Sequence, residues 1–496
     1  MQARRRLRCA LVLALTAIGC SSPERPVAQS SEAAPIVEAT ASAAPEAPKP
    51  DPARLVDVTY HPANDSWEVQ WRFSEPAAKI LFDRRKSAKR NGVWTAGEGL
   101  RWVVEGSNEL LVPIDAKPTK VFSARFATND EQLGRSPPQN IRFTDGGRLL
   151  FTSQLGVHAI ACENNGRCDR RDVGGARVWR FHTDTDWSLR VLGSAAKGQL
   201  EWAEPAGDLR GTYLYVGKLD PVANDGVRFL VDPAIPTWLA DETKRRVPAL
   251  LKFYAEKTAI KPDFEPMVFV SRSRTGEAIG DVNGRVLPGL LQLEAIGQKW
   301  DTASGQLKGQ WFELVAHESF HLWNAQLARR DENAANEWLS EGSAVYAGSE
   351  ALLSEGLVDQ KSNDRHIVSS SNRCMANLKG PIFDEGAAAS FYSCGAVVQF
   401  LIDRKLAKSG GAFGLLAATF AQAKTRGSYC TKDYLALLEE RAADPVFVRD
   451  LRTWIEKGFA EDRAVFLQRM LKGAGLSTSI IPPKKGTNDA PTLRLD

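Results

Sequence analysis

Hydrophobic and polar positions follow two different rhythms along this chain, and the change falls near residue 226. Before it, apolar residues come two apart. Trp67, Val69, Trp71 and Phe73 form one such series, Tyr213 and Tyr215 another, and Val178-Trp179-Arg180-Phe181 is an aromatic-rich run. Clusters of Gly, Pro and Asn separate these runs. A period of two belongs to half-buried strands, so residues 54–225 are predicted to form a β-rich, sandwich-like domain whose aromatics are core. After the change, Val227 to Val231 and Met267 to Val270 read as short buried strands. Pro236 to Lys257 carries helical spacing through Trp238, Val247, Leu250, Leu251 and Tyr254. Gly284 to Glu294 reads as a further strand interrupted by Pro288-Gly289, and mostly helical segments continue to about 475. Residues 226–475 are thus expected to form an α+β domain with a helical C-terminal part. Residues 476–496, with Pro482-Pro483-Lys484-Lys485, read as a disordered tail. No internal repeat is visible.

The first residues follow neither rhythm. Arg4-Arg5-Arg6-Leu7-Arg8 precedes an apolar run from Cys9 to Ile18, which is too short to span a bilayer as a helix. Ala17-Ile18-Gly19-Cys20 then resembles a bacterial lipobox. The resemblance implies a signal peptide over 1–19, a lipid on Cys20 and a membrane-anchored, exported chain. Ser21 after the cysteine points to the outer membrane or periplasm. Residues 20–53, rich in Ala, Pro, Ser and Glu, read as a flexible tether.

Composition narrows the partners. A chain of 496 residues exceeds one compact core. The four arginines of the leader account for the whole formal net charge of +4, so the rest is neutral and nothing in its charge favours nucleic acid. Export permits disulfides. Cys162 and Cys168 flank an Asn165-Gly166 turn signal and suit a hairpin bridge, and two of Cys374, Cys394 and Cys430 can pair. Oligomeric state is not legible.

The chemistry concentrates in one stretch. Trp311 to Asn324 contains no Gly or Pro and suits a helix. Within it, His317 and His321 stand four apart and face the same side, where both imidazoles can hold one metal. Glu318 stands beside the first of them, placed to reach a metal-bound water. Downstream, Trp338, Leu339, Val345 and Tyr346 pattern a second helix that places Glu341 inward; Glu337 is the alternative one turn earlier. Two His, one Glu and a water make a catalytic zinc set.

His317-Glu318-x-x-His321-x-Trp323-Asn324, followed by Trp338-Leu339-x-Glu341-Gly342-x-x-x-Tyr346, resembles the glycyl-aminopeptidase-like family of gluzincin metallopeptidases. It is more distantly similar to the leucyl/alanyl aminopeptidase and leukotriene-A4-hydrolase family. The resemblance covers about 226–475 and, weakly, the domain before it. It implies a thermolysin-like catalytic domain with one Zn2+ per chain on His317, His321 and Glu341, and a peptide or protein substrate. Phe391-Tyr392-Ser393-Cys394-Gly395-Ala396 matches a Tyr-x-Lys-Gly-Ala segment with Cys394 in place of Lys, which implies that Tyr392 stabilises the oxyanion. A Gly-x-Met-Glu-Asn edge strand, whose Glu holds the substrate's amine, corresponds to Gly289-Leu290-Leu291-Gln292-Leu293, with Gln292 neutral and Glu294 nearby.

Read as chemistry, Glu318 is the general base of a zinc-dependent peptide hydrolysis and Tyr392 an oxyanion donor. A neutral Gln292 favours endopeptidase or relaxed specificity over a strict aminopeptidase. The competing class is a catalytically silent surface-binding protein that keeps the fold.

Overall fold

The structure is a computed structural model. It describes residues 54–82, 90–128, 140–162, 168–171, 177–204, 211–273, 280–328, 330–331, 336–382, 388–483 and 490–496. The leader, Cys20, the tether and the Asn165-Gly166 turn lie outside the described residues.

The period-two runs form strands. In Ser66–Ala77, Trp67, Val69 and Trp71 point inward while their neighbours stay partly exposed. This strand pairs antiparallel with Arg54–His61 and with Thr119–Ala127 in a six-stranded sheet. Two five-stranded sheets join it around a core that includes Trp67, Trp71, Trp179, Phe122 and Leu214. The alternation disappears in Tyr213–Gly217, because both of its faces are buried.

The second domain opens one strand earlier than its expected boundary. Val222–Asn224 belongs to a mixed five-stranded sheet with Val227–Val231, Met267–Ser273, Leu290–Ile296 and, at the far edge, Asp281–Leu287. The three inner strands run parallel and the two outer ones antiparallel to them. One sheet face meets the β-rich domain: Leu230, Met267, Phe269 and Leu290 pack with Phe143, Phe151, Tyr213 and Tyr215. At that junction the buried Asp232 carboxylate accepts hydrogen bonds from Thr144, Ala234 N and Arg272 N. The other face carries the helices α1 (Thr237–Thr258) and α2 (Gly305–His321). Behind them lie α3 (Glu337–Ser354), α4 (Gln360–Asn377), α5 (Ala388–Lys405), α6 (Gly411–Arg426), α7 (Thr431–Arg441), α8 (Pro445–Lys457) and α9 (Arg463–Gly473).

Two expectations are corrected. The stretch from Gly284 to Glu294 is no single strand. Pro288-Gly289 is a two-residue turn, with Gly289 at φ +69°, and it folds Asp281–Leu287 back along Leu290–Ile296. The edge strand is therefore Asp281–Leu287, and Gln292 lies on the strand next to the edge. The expected disordered tail is also ordered where described. Thr478–Ile481 pairs with Thr492–Leu495. The Asn372 side chain of α4 donates to Leu493 O at 2.9 Å and accepts from Leu493 N at 2.7 Å, and Leu493 enters the core. These contacts depend on α4, far away in sequence, so local composition could not reveal them.

Candidate metal centre

Helix α2 starts at a Ser304 cap, whose side chain accepts from Leu307 N. Its buried side is fixed by Trp311, Phe312, Val315, Ala316 and Phe320. Tyr254 of α1 donates to Ala316 O at 2.8 Å, and Trp311 Nε1 donates to Thr243 Oγ1 at 3.0 Å. Those contacts set the rotation of α2, and they leave His317 and His321 on the face turned toward α3.

Helix α3 brings Glu341 to the same point. His317 Nε2 and His321 Nε2 lie 3.1 Å apart, and Glu341 Oε2 lies 3.2 Å from the first and 3.5 Å from the second. A tetrahedral ion with bonds of about 2.0–2.1 Å needs donor atoms about 3.3–3.4 Å apart. The triangle fits zinc in size and in donor chemistry. It is the only cluster of three or more such groups among the described residues. The three side chains keep 15%, 12% and 20% of their surface exposed, so the centre has an open side. Glu337 is turned away and pairs with Arg330 at 3.2 Å.

Electrostatics agree with a cation position. Burial disfavours charge on His321, but the Glu341 carboxylate outweighs it and raises the imidazole to about 9. Burial likewise acts upward on Glu341, yet His321 and His317 hold it well below the usual carboxylate range. Either a proton or a metal ion satisfies the Glu341 charge here.

Sequence reasoning did not identify a partner for either histidine. A π-helical turn, Leu322–Leu327, continues α2 and brings Asn324 beneath His321. Asn324 is fully buried. Its amide nitrogen donates to Ser340 O at 2.8 Å and Ser343 Oγ at 3.0 Å, so its Oδ1 faces His321 Nδ1 at 2.8 Å. That oxygen can only accept. Nδ1 therefore carries the hydrogen, and Nε2 faces the other two donors. The available signal was an Asn three residues after the second His.

Glu318 follows His317 and lies against the edge strand. A Cβ at Gly284 would stand 2.7 Å from Glu318 Cγ and 3.1 Å from Leu314 Cδ1, so the absence of a side chain lets the strand lie against α2 at this residue. The next residue, Arg285, lies on the opposite face of the strand and is partly buried; burial lowers its basicity, while Tyr213, Glu318 and Glu294 act the other way.

Tyr392 closes another side. Its ring lies 5.8 Å from the His317 ring at 28°, and 45% of the residue is exposed. Partial burial, then the Glu341 and Glu318 carboxylates, hold its phenol far above the ordinary value, so it stays a donor at all working pH. Two features fix it. Cys394, where the resembling families have Lys, is bonded to Cys374 of α4. Helices α3 and α5 touch backbone to backbone at Gly342 and Gly395: a Cβ on Gly342 would lie 2.3 Å from Gly395 Cα, and one on Gly395 would lie 2.5 Å from Trp338 O. Glu341 and Tyr392 are thereby locked to each other.

No family model matches the chain, and no curated protein matches it. Solved structures do. An aminopeptidase N family protein from Idiomarina loihiensis superposes with a TM-score of 0.62 at 11% identity, over 86% of this chain and 79% of that one. An M1 zinc metallopeptidase from Deinococcus radiodurans gives a looser overlap, with a TM-score of 0.46 at 16% identity over 82% and 93% of the two chains. A variant of that enzyme, bound to a Tyr-Ser-Ala substrate, overlaps equally loosely at 17% identity. The β-rich domain, the mixed α/β domain and the helical C-terminal part together give this chain the fold of the aminopeptidase N family protein from Idiomarina loihiensis.

Proposed function

We propose that this chain is a zinc-dependent peptide hydrolase, with His317, His321 and Glu341 holding one Zn2+ and Glu318 acting as general base. The observation that carries the reading is the triangle of three donors with edges of 3.1–3.5 Å, beside a glutamate one residue from the first of them. Zinc in such a set lowers the pKa of its water to about 7 and polarises a carbonyl.

The protein's own groups then have separate tasks. Asn324 keeps His321 oriented through Nδ1. Glu318 accepts the proton of the attacking water and delivers it to the leaving amine. Tyr392, protonated and half-exposed, donates a hydrogen bond to the oxyanion that develops on the attacked carbonyl. The substrate class is a peptide or protein. The chain is exported and anchored through a lipid on Cys20, in keeping with the disulfides Cys162–Cys168 and Cys374–Cys394, which persist in oxidising compartments.

Metal analysis of two variants tests the ligand set. Glu341→Gln is expected to lose most of its zinc, and Glu337→Gln, whose residue pairs with Arg330, to keep it. The reverse result would remove Glu341 from the centre.

A further inference from the structure

Helix α2 runs into the π-helical turn Leu322–Leu327 before the chain reaches α3. A π turn is a rare conformation, and the last carbonyls of any helix lack intrahelical donors. Here a donor comes from a residue 105 positions further on. Gly427, at φ +90°, ends α6 and turns the chain toward Tyr429. Tyr429 is buried against Phe420, and its hydroxyl donates to Asn324 O in the π turn. The Ser340 hydroxyl of α3 hydrogen-bonds the same phenol. Burial raises that phenol far above its ordinary value, so it stays a donor at all working pH.

The neighbours of Tyr429 repeat the link. Asp331 N donates to Tyr429 O at 2.9 Å. Thr431 N donates to Asn336 Oδ1 at 2.7 Å, one residue before α3 begins. Trp338 Nε1, in the first turn of α3, donates to Thr431 Oγ1 at 3.1 Å. Ser340 precedes Glu341, and Asn324 is the residue whose Oδ1 faces His321 Nδ1. One buried hydroxyl therefore touches both arms of the metal triangle. It meets the residue that orients the second imidazole and the residue before the carboxylate donor.

We propose that Tyr429 is a positioning residue for the metal centre, which sets the spacing of His321 and Glu341 through Asn324 and Ser340. This rests on the zinc reading above and deepens it. Tyr429 touches neither the donor atoms nor a substrate; it holds the main chain from which the Asn324 side chain reaches His321.

The test reads zinc affinity of the full chain by competition with a chelator, so it does not depend on cleavage. Tyr429→Phe removes one oxygen and keeps the ring. It is expected to bind zinc about tenfold more weakly, the scale usual for groups that support a metal ligand from behind. Tyr434→Phe is the control. That hydroxyl is equally buried and donates to Gln399 Oε1 at 2.6 Å, away from both arms. Its loss should lower thermal stability as Tyr429→Phe does, with zinc affinity at the wild-type level. Because Tyr429 acts through Asn324, Tyr429→Phe/Asn324→Ala should lose less affinity than the product of the two single losses. If Tyr429→Phe does not fold, Ser340→Ala, which deletes the hydroxyl on the α3 side, takes its place with the same expectations. Unchanged affinity in Tyr429→Phe, equal weakening in Tyr434→Phe, or fully multiplicative losses overturn this proposal and leave the metal reading standing. A wild type that binds no zinc overturns the metal reading and the proposal with it.

Discussion

At the scale of single residues, the proposed function assigns some groups of the candidate centre to holding an ion and others to acting on a substrate. On that reading Asn324 belongs to the first kind: its side chain hydrogen-bonds His321 and two groups of α3, while its carbonyl accepts from the Tyr429 hydroxyl. Asn324→Ala is expected to weaken zinc affinity by about 10–100-fold, measured by competition with a chelator, because the imidazole loses the acceptor that fixes its tautomer. The same proposal puts Tyr392 in the second kind. Tyr392→Phe should keep the zinc and lower kcat by about 10²–10³, the usual loss for one oxyanion donor. If Asn324→Ala left affinity unchanged, or Tyr392→Phe lost the metal, those assignments would be exchanged. The grouping of His317, His321 and Glu341 was legible in sequence: two His four apart on an uninterrupted helix share a face, and the family resemblance pointed to Glu341. Asn324 was visible in the motif, but its task was not. That task depends on a π turn and on carbonyl and hydroxyl groups of a helix that follows later in the chain.

At the scale of elements, the edge strand and helix α2 form one unit, and Gly284 is their point of contact. Gly284→Ala is expected to displace Glu318 and Leu314, lowering turnover while zinc content stays at the wild-type level. Full activity in that variant would mean that the position of Glu318 does not depend on the strand. This strand is also where local pattern gave the wrong answer. An apolar run broken by Pro-Gly looks alike whether the chain continues straight or reverses. Only pairing, Val286 opposite Leu291 and Leu287 opposite Leu290, distinguishes the two. The terminal hairpin escaped notice for a related reason, since Leu493 is held by Asn372 and the core rather than by its own neighbours. Helix α1, by contrast, declared itself through apolar spacing that the packed core then used, and α2 through a stretch free of Gly and Pro.

At the scale of the whole molecule, the β-rich domain is joined to the mixed five-stranded sheet through an apolar seam and the Asp232 cluster, so the sheet is covered on both faces. That burial is why the inner strands read as continuous apolar runs, and why strand alternation was legible only where one side met solvent, as in Ser66–Ala77. The export reading also belongs to this scale. Mass spectrometry of protein recovered from membranes is expected to find the mature chain beginning at a lipid-modified Cys20. An unmodified N-terminus at another residue would refute the anchor.

The central claim is that one zinc at His317, His321 and Glu341, with Glu318 beside it, hydrolyses peptide bonds. The most direct measurement follows cleavage of an internally quenched peptide while zinc in the protein is counted. Zinc-loaded wild type should cleave with about one zinc per chain, stop on chelation and recover when zinc is restored, while Glu318→Gln should hold the same zinc and not cleave. Cleavage that persists in zinc-loaded Glu318→Gln, or a fully loaded wild type that cleaves no peptide, would contradict it.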